Sequence, residues 1–382
     1  MATNLSETLD KVIAQSLANQ RLVGGVILIA HKGRLIYEKA VGWKDREAQK
    51  AMHLETAFRL SSVTKPFVTV AALKLVEQGV ISLDTPVTRW LPYFKPTLPE
   101  TGEHPVITLH HLLTHQAGLS YGFALPKDSI YHRLGISDGI DYCPTLTLDE
   151  NMRRLALAPL FYSPEEKWDY SLAIDVVGAM LENICDRPLP NIIEKYITAP
   201  LGLESCRFWG TSDVLATPYY NADPMPKRMR IEEILSPDEK GAIIFSPRRA
   251  EEKTAYPSGG AGMVGNAPDI LRFLEIIRLN GDSLLKKSSV DRMFTNHVGA
   301  KMASQKPGFG FGYGGSLIID PQIVGTGQSK NTLQWGGVYG HRWFIDRQQS
   351  ITAVILTNTT FEGMAGQLPQ QITEAIYQHL DS

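Results

Sequence analysis

The spacing of apolar and polar positions changes several times along the chain. Residues 5–19 repeat at helical spacing and predict an amphipathic helix. Residues 24–30 and 35–41 are apolar or alternating runs rich in β-formers, and His31-Lys32-Gly33-Arg34 between them is a hairpin signal. The apolar run 67–75 predicts a second helix, with Gly79 as its C-terminal cap. From about residue 82 to 255, prolines, turns and short helices alternate, with helices expected at 109–114 and 175–185. Residues 269–279 read as helix, residues 309–319, 334–346 and 350–357 as strands, and residues 367–380 as a last helix. Strands near both ends with helices between them imply one sheet closed by both termini. The expected organisation is a sheet domain from 1–81 and 256–382, with a mainly helical domain inserted at 82–255.

Composition narrows the class. Of 382 residues, 43% are hydrophobic and 20% charged, which supports a large core and argues against disorder. The 38 basic and 40 acidic residues nearly cancel to −2, and no basic run stands out, so no nucleic-acid partner is expected. The first residues, Met1 to Glu7, are polar, and no long apolar run occurs. Neither a signal peptide nor a membrane span is expected. Cys143, Cys185 and Cys206 are odd in number and widely spaced, which fits free thiols in a cytoplasmic, reducing setting.

The chemistry starts at Arg59-Leu60-Ser61-Ser62-Val63-Thr64-Lys65-Pro66-Phe67. Ser62 and Lys65 are three apart at a helix start, so their side chains share a face. A serine hydroxyl is a weak nucleophile until a neighbouring base takes its proton. A lysine serves as that base where burial disfavours its charged form. Pro66 suits a first helical turn, and a helix N-terminus favours a developing oxyanion. A second S-x-x-K, Ser283 to Lys286, follows the turn Asn280-Gly281-Asp282 and reads as an exposed helix start.

Two further elements carry candidate chemistry. Trp168-Asp169-Tyr170-Ser171-Leu172 precedes a helical run, and a tyrosine there can relay a proton. Gln334-Trp335-Gly336-Gly337-Val338-Tyr339-Gly340-His341 places paired glycines in a strand, where substrate can approach the backbone. Tyr121, Phe123, Trp168, Trp209, Tyr339 and Trp343 are candidate pocket walls, with core packing the competing role. His341 is a candidate pocket residue, with a structural role as the alternative. His111 and His115 have a metal-ligand spacing beside His110, but no His-Glu-x-x-His accompanies them, so packing and capping are expected. Gly310-x-Gly312-x-x-Gly315 matches a dinucleotide fingerprint but precedes a strand, not a helix. No G-x-S-x-G elbow occurs.

Together, Ser62-x-x-Lys65, Tyr170-Ser171-Leu172 and Trp335-Gly336-Gly337 resemble the motif set of the serine β-lactamase and penicillin-binding-protein superfamily. The nearest likeness is to the class C-like relatives known as family VIII carboxylesterases. The segments 108–118 and 258–269 extend the resemblance over nearly the whole chain. It implies an α/β (α+β) fold of β-lactamase/transpeptidase type, an antiparallel sheet flanked by helices. It also implies Ser62 as nucleophile, Lys65 with Tyr170 as the base system, and the backbone N–H groups of Ser62 and Val338 as oxyanion hole. Tyr121, Trp168, Leu172, Trp335, Gly336, Gly337 and His341 are then the expected pocket, with no metal and no other cofactor. Two departures bear on substrate. Leu172 stands where the lactamases carry asparagine, and Trp335 where they carry lysine. A neutral, aromatic site for small esters is expected, with Arg342 the nearby cation that could reach a carboxylate. The competing expectations are acyl transfer or amide and β-lactam hydrolysis by the same residues, and a silent binding paralogue.

Overall fold

The computed structural model describes residues 4–236 and 241–380. Residues 1–3 of the N-terminal stretch, residues 237–240 of the expected insertion and the last two residues lie outside the described residues. One sheet of eight strands organises the rest. Its strands are β1 (Gly24–His31), β2 (Arg34–Asp45), β3 (Lys50–Ala51), β4 (Phe309–Phe311), β5 (Ser316–Ile318), β6 (Leu333–Gly337), β7 (His341–Asp346) and β8 (Ile351–Thr357). Their spatial order is β4-β5-β6-β7-β8-β1-β2-β3, antiparallel throughout. The two chain ends meet at β1 and β8, in register from Gly25 opposite Thr357 to His31 opposite Ile351.

The period-two alternation of these strands divides the core. Ile27 and Ile29 of β1 with Ile351, Ala353 and Ile355 of β8 face the terminal helices α1 (Leu5–Ala18) and α6 (Gln367–Leu380). Val26, Leu28, Val354 and Leu356 face the other way, into the larger core with α2 (Lys65–Glu77) and α5 (Ala267–Arg278). There Phe67 stacks on Phe273 with ring centroids 4.0 Å apart. Between these layers the chain runs through short helices and loops, among them α3 (Leu109–Leu113) and α4 (Ala173–Cys185). Among the described residues, no helix is long and apolar enough to cross a membrane.

The hairpin at residues 32 and 33 forms as its sequence predicts. Lys32 and Gly33 both take positive φ, 51° and 77°, the two-residue turn whose twist suits flanking strands. The runs 309–319 and 334–346 differ from expectation, since each is a hairpin and not one strand. Gly314 and Gly340, at φ 89° and 115°, provide the reversals. The glycine fingerprint Gly310 to Gly315 is thus the β4–β5 hairpin.

The segment bearing Ser62 is clamped between the sheet and a glycine-rich turn. Phe58–Arg59 pairs with Val264–Gly265, and Leu60 N donates to Met263 O at 2.9 Å. On the other side β6 ends against it. A Cβ on Gly337 would sit 2.5 Å from Leu60 O and 2.7 Å from Ser61 Oγ, so only glycine permits this approach. His341, opposite Gly337 in the β6–β7 pair, reaches the same segment, its Nε2 lying 2.8 Å from Arg59 O. A carbonyl only accepts, so Nε2 carries the proton. The ring has no exposed surface, and burial lowers its pKa to about 4. His341 is therefore a brace beneath the Ser62 turn, which corrects the expectation that it lines the pocket.

This burial has a pH signature. At pH 7 the ring is neutral whether the chain is folded or unfolded. Below the ordinary value of 6.5, the unfolded chain gains a proton that the folded one refuses until about pH 4. The stability His341 provides is thus present above pH 6.5 and lost on acidification through that window. Urea denaturation should show the advantage of wild type over His341→Gln shrinking by about 3 kcal/mol from pH 7 to pH 4. An advantage flat across that range would mean that the folded state does not exclude the proton.

Candidate active site

Ser62 lies in a 3₁₀ turn, Ser61–Thr64, that runs directly into α2. This geometry brings the motif together, because residues three apart eclipse in a 3₁₀ helix. Lys65 Nζ donates to Ser62 Oγ at 3.2 Å and to Gly260 O at 2.8 Å. Ser61 enters the turn at φ 43°, a region sparsely used by residues with a side chain, so local strain accompanies the presentation of Ser62. Pro66 occupies the first turn of α2. Ser62 remains partly exposed, whereas Lys65 is buried at 2% exposure.

Tyr170 closes the group from the opposite side. Its Oη is 2.6 Å from Ser62 Oγ, and its ring centroid is 4.6 Å from Lys65 Nζ. Tyr121 adds a second ring 5.3 Å from the same nitrogen and stacks on Phe123 at 4.6 Å. Burial, and secondarily the proximity of Tyr170 and Asp175, hold the Tyr121 phenol well above its usual range. Trp335 of β6 is half-buried and lies 5.1 Å from the Tyr170 ring, and Val338 follows directly on Gly337. Ser62, Lys65, Tyr170, Tyr121, Trp335 and the β6 terminus thus converge.

Other residues of this arrangement were not singled out for it from sequence. His115 accepts a hydrogen bond at Nδ1 from Ser171 N, 3.2 Å, and its carbonyl accepts from Asp169 N at 3.1 Å. It holds Tyr170 from behind as a neutral ring, its pKa pushed well down by burial and then by the charge of Lys65. Asp175, in the first turn of α4, is fully buried and accepts from Ser258 Oγ at 2.6 Å. Burial raises its pKa, opposed by that hydrogen bond and by Lys65. Gly260 lies between them. A Cβ there would come within 2.4 Å of Asp175 Oδ2 and 3.0 Å of Tyr121 Oη, so the carbonyl reaches Lys65 only because the residue is glycine. The Ser258-Gly259-Gly260 string marked this turn, but an aspartate in a first helical turn is ordinary and gave no signal.

Several expected pocket residues belong elsewhere. Leu172 has no exposed surface and packs into the main core. Trp168, 2% exposed, packs against His115 and Phe311 behind Tyr170. A side chain on Gly336 would point at Met364, on the terminal-helix side of the sheet. Trp343 is core, and Trp209 is covered by Arg207 and Lys253. Arg342 shares the Gly336 register and hydrogen-bonds Gln334, so it sits across the sheet from Trp335. His111 closes the capping box of α3 and meets Glu165, while His110 pairs with Tyr313. The second S-x-x-K is exposed at Ser283 and Lys286, where Lys286 precedes the helix Lys287–Met293.

Chemically, the cluster joins a hydroxyl, an amine and a phenol in one hydrogen-bonded set at a partly exposed point. The chain is 46% identical to Esterase EstB of Burkholderia gladioli, over 98% of this chain and 96% of that protein. It matches the structure of EstCE1, a hydrolase with promiscuous acyltransferase activity, at TM-score 0.95 and 46% identity over 98% of both chains. The LovD6 mutant of simvastatin synthase from Aspergillus terreus shares the fold at TM-score 0.78 and 21% identity, covering all of this chain and 96% of that one. The family model Beta-lactamase matches residues 9–376, and the chain belongs to that family.

Proposed function

We propose that this protein is a serine carboxylesterase acting on small neutral esters through an acyl-enzyme on Ser62. The observation that carries this is the short contact set of Ser62 Oγ with Tyr170 Oη at 2.6 Å and Lys65 Nζ at 3.2 Å. Ser62 Oγ attacks the ester carbonyl while its proton passes into the Lys65–Tyr170 pair. The oxyanion is held by the N–H groups of Ser62 and Val338. As the C–O bond to the alcohol breaks, the pair returns the proton to the departing alkoxide. Water then attacks the acyl-enzyme and gives a proton to the same pair, which passes it to Ser62 Oγ as the acyl C–O bond breaks, so the carboxylic acid leaves and the serine hydroxyl is restored. The likeness to EstB and EstCE1 supports the ester reading, and the EstCE1 description supports an acyl-enzyme that an added alcohol intercepts in place of water. These steps require no metal or organic cofactor.

Three outcomes test this reading. Ser62→Ala should abolish turnover of p-nitrophenyl butyrate while leaving the circular-dichroism spectrum and melting point intact. Near-normal turnover in that variant, with Ser283→Ala inactive instead, would assign the wrong serine.

Lys65→Ala and Tyr170→Phe should each lower kcat by about a hundredfold or more, the scale of losing general acid–base catalysis. The double variant should be little worse than either single one, because members of one proton network act as a unit. Fully additive losses would reduce Tyr170 to a packing residue.

The enzyme should prefer p-nitrophenyl acetate to nitrocefin by roughly several orders of magnitude in kcat/KM. A β-lactam brings a carboxylate to the position of Trp335, and an unpaired buried carboxylate costs several kcal/mol, with about 1.4 kcal/mol per factor of ten. Arg342 points to the other face of the sheet, bound to Gln334. Nitrocefin turnover equal to that of the ester would return the protein to the lactamases.

A further inference from the structure

A second polar centre lies on the terminal-helix face of the sheet, across β6 from the cluster around Ser62. Arg342, on β7, is its core. Its guanidinium donates to Gln334 Oε1, and no carboxylate among the described residues pairs with it. Burial alone lowers its pKa, to about 10.

The amides around Arg342 also lack partners. A guanidinium has no acceptor, so Gln334 must turn Oε1 toward it, which leaves Nε2 buried and unbonded. Gln334 is 1% exposed. Gln328, 5% exposed, likewise has a buried Nε2 with no acceptor, while its Oε1 accepts from Thr326 Oγ1 at 3.3 Å. Arg342, Gln334 and Gln328 all line one cavity of about 380 Å³ between the sheet and α6. Phe309 and Met364 supply apolar wall, and Glu374 of α6 also lines the cavity, with its side chain exposed to solvent.

We propose that this cavity is a binding site for a small organic monocarboxylate. The buried side-chain atoms left unsatisfied in it, Gln334 Nε2 and Gln328 Nε2, are both donors, so the complement at its floor is an acceptor-only group. One guanidinium with two neutral amides matches a single negative charge, and a carboxylate accepts from a planar fork in bidentate fashion. The apolar wall and the volume leave room for a short alkyl or aryl body behind the carboxylate. The site is separate from Ser62 and does not depend on the reaction proposed for it. Gln334 directly precedes Trp335, so β6 presents one residue to each centre.

Benzoate and its neutral isostere benzamide are suitable probes, measured by calorimetric titration of the full-length protein. Benzoate should bind wild type saturably, with a dissociation constant on the order of millimolar for one bidentate contact and a small apolar body. Benzamide should bind at least about tenfold more weakly, since it lacks the charge that Arg342 recognises. Arg342→Met, which removes the cation, and Thr373→Phe, which fills the cavity from α6, should each weaken benzoate by about tenfold or more. Should Arg342→Met fail to fold, Thr373→Phe decides alone. No saturable benzoate binding, binding untouched by the filled cavity, or benzamide binding as tightly as benzoate would each overturn the proposal.

Discussion

A lysine amine held at 2% exposure is the constraint around which the site is arranged. Burying such a group without partners is costly, and a partly satisfied network is worse than an apolar core. The chain meets that demand from three distant segments. The 3₁₀ turn sets Ser62 above the amine, the glycine-rich turn brings a bare carbonyl beneath it, and the loop before α4 lays Tyr170 across it. Each segment is then held by its own second contact. His341 ties down the Ser62 turn, Ser258 and Asp175 fix the carbonyl turn, and His115 fixes the tyrosine loop. The buried polar residues near the site are mostly this scaffolding, while Ser62, Tyr170, Trp335 and Val338 keep exposed surface.

The elements with strong periodicity were legible in the sequence. The helices bounded by α1, α2, α5 and α6 lie within a few residues of their expected spans, and the strands β1, β2 and β8 likewise. The shortfall was in strand reversals. Glycine-rich stretches between β-formers read as continuous strand because a turn at Gly314 or Gly340 needs no proline or asparagine to announce it. Within the site, Ser62 and Lys65 stand out by their spacing and Tyr170 by the family resemblance, and the structure brings the three side chains together. Asp175 and His115 do not stand out, since their roles come from burial and from contacts made across the fold. Leu172 and His341 lie outside the pocket for the same reason. Sequence places them next to reactive positions, but the face on which each side chain emerges is set by helix and strand phase.

The position of Arg342 is a further case of phase deciding chemistry. A cation directly opposite one of the paired glycines invites the inference that it serves the site beside Ser62. Period two along β7 sends it to the other side of the sheet, while Trp343 and Ile345 enter the main core. Trp335 therefore stands at the cluster without a neighbouring guanidinium on its own face of the β6–β7 pair.

Closing the sheet with strands from opposite ends also governs how the chain can be made. β1 is almost wholly apolar and is flanked by β2 and β8, so one of its two edges waits for a strand synthesised last. Until that strand emerges, the nascent protein carries a long hydrophobic edge with unpaired backbone donors and acceptors, the kind of surface that pairs with other chains. Loss of the C-terminal residues from β8 onward would therefore expose this edge permanently, and a ribosome stalled before them would leave a chain prone to aggregate rather than a smaller working enzyme.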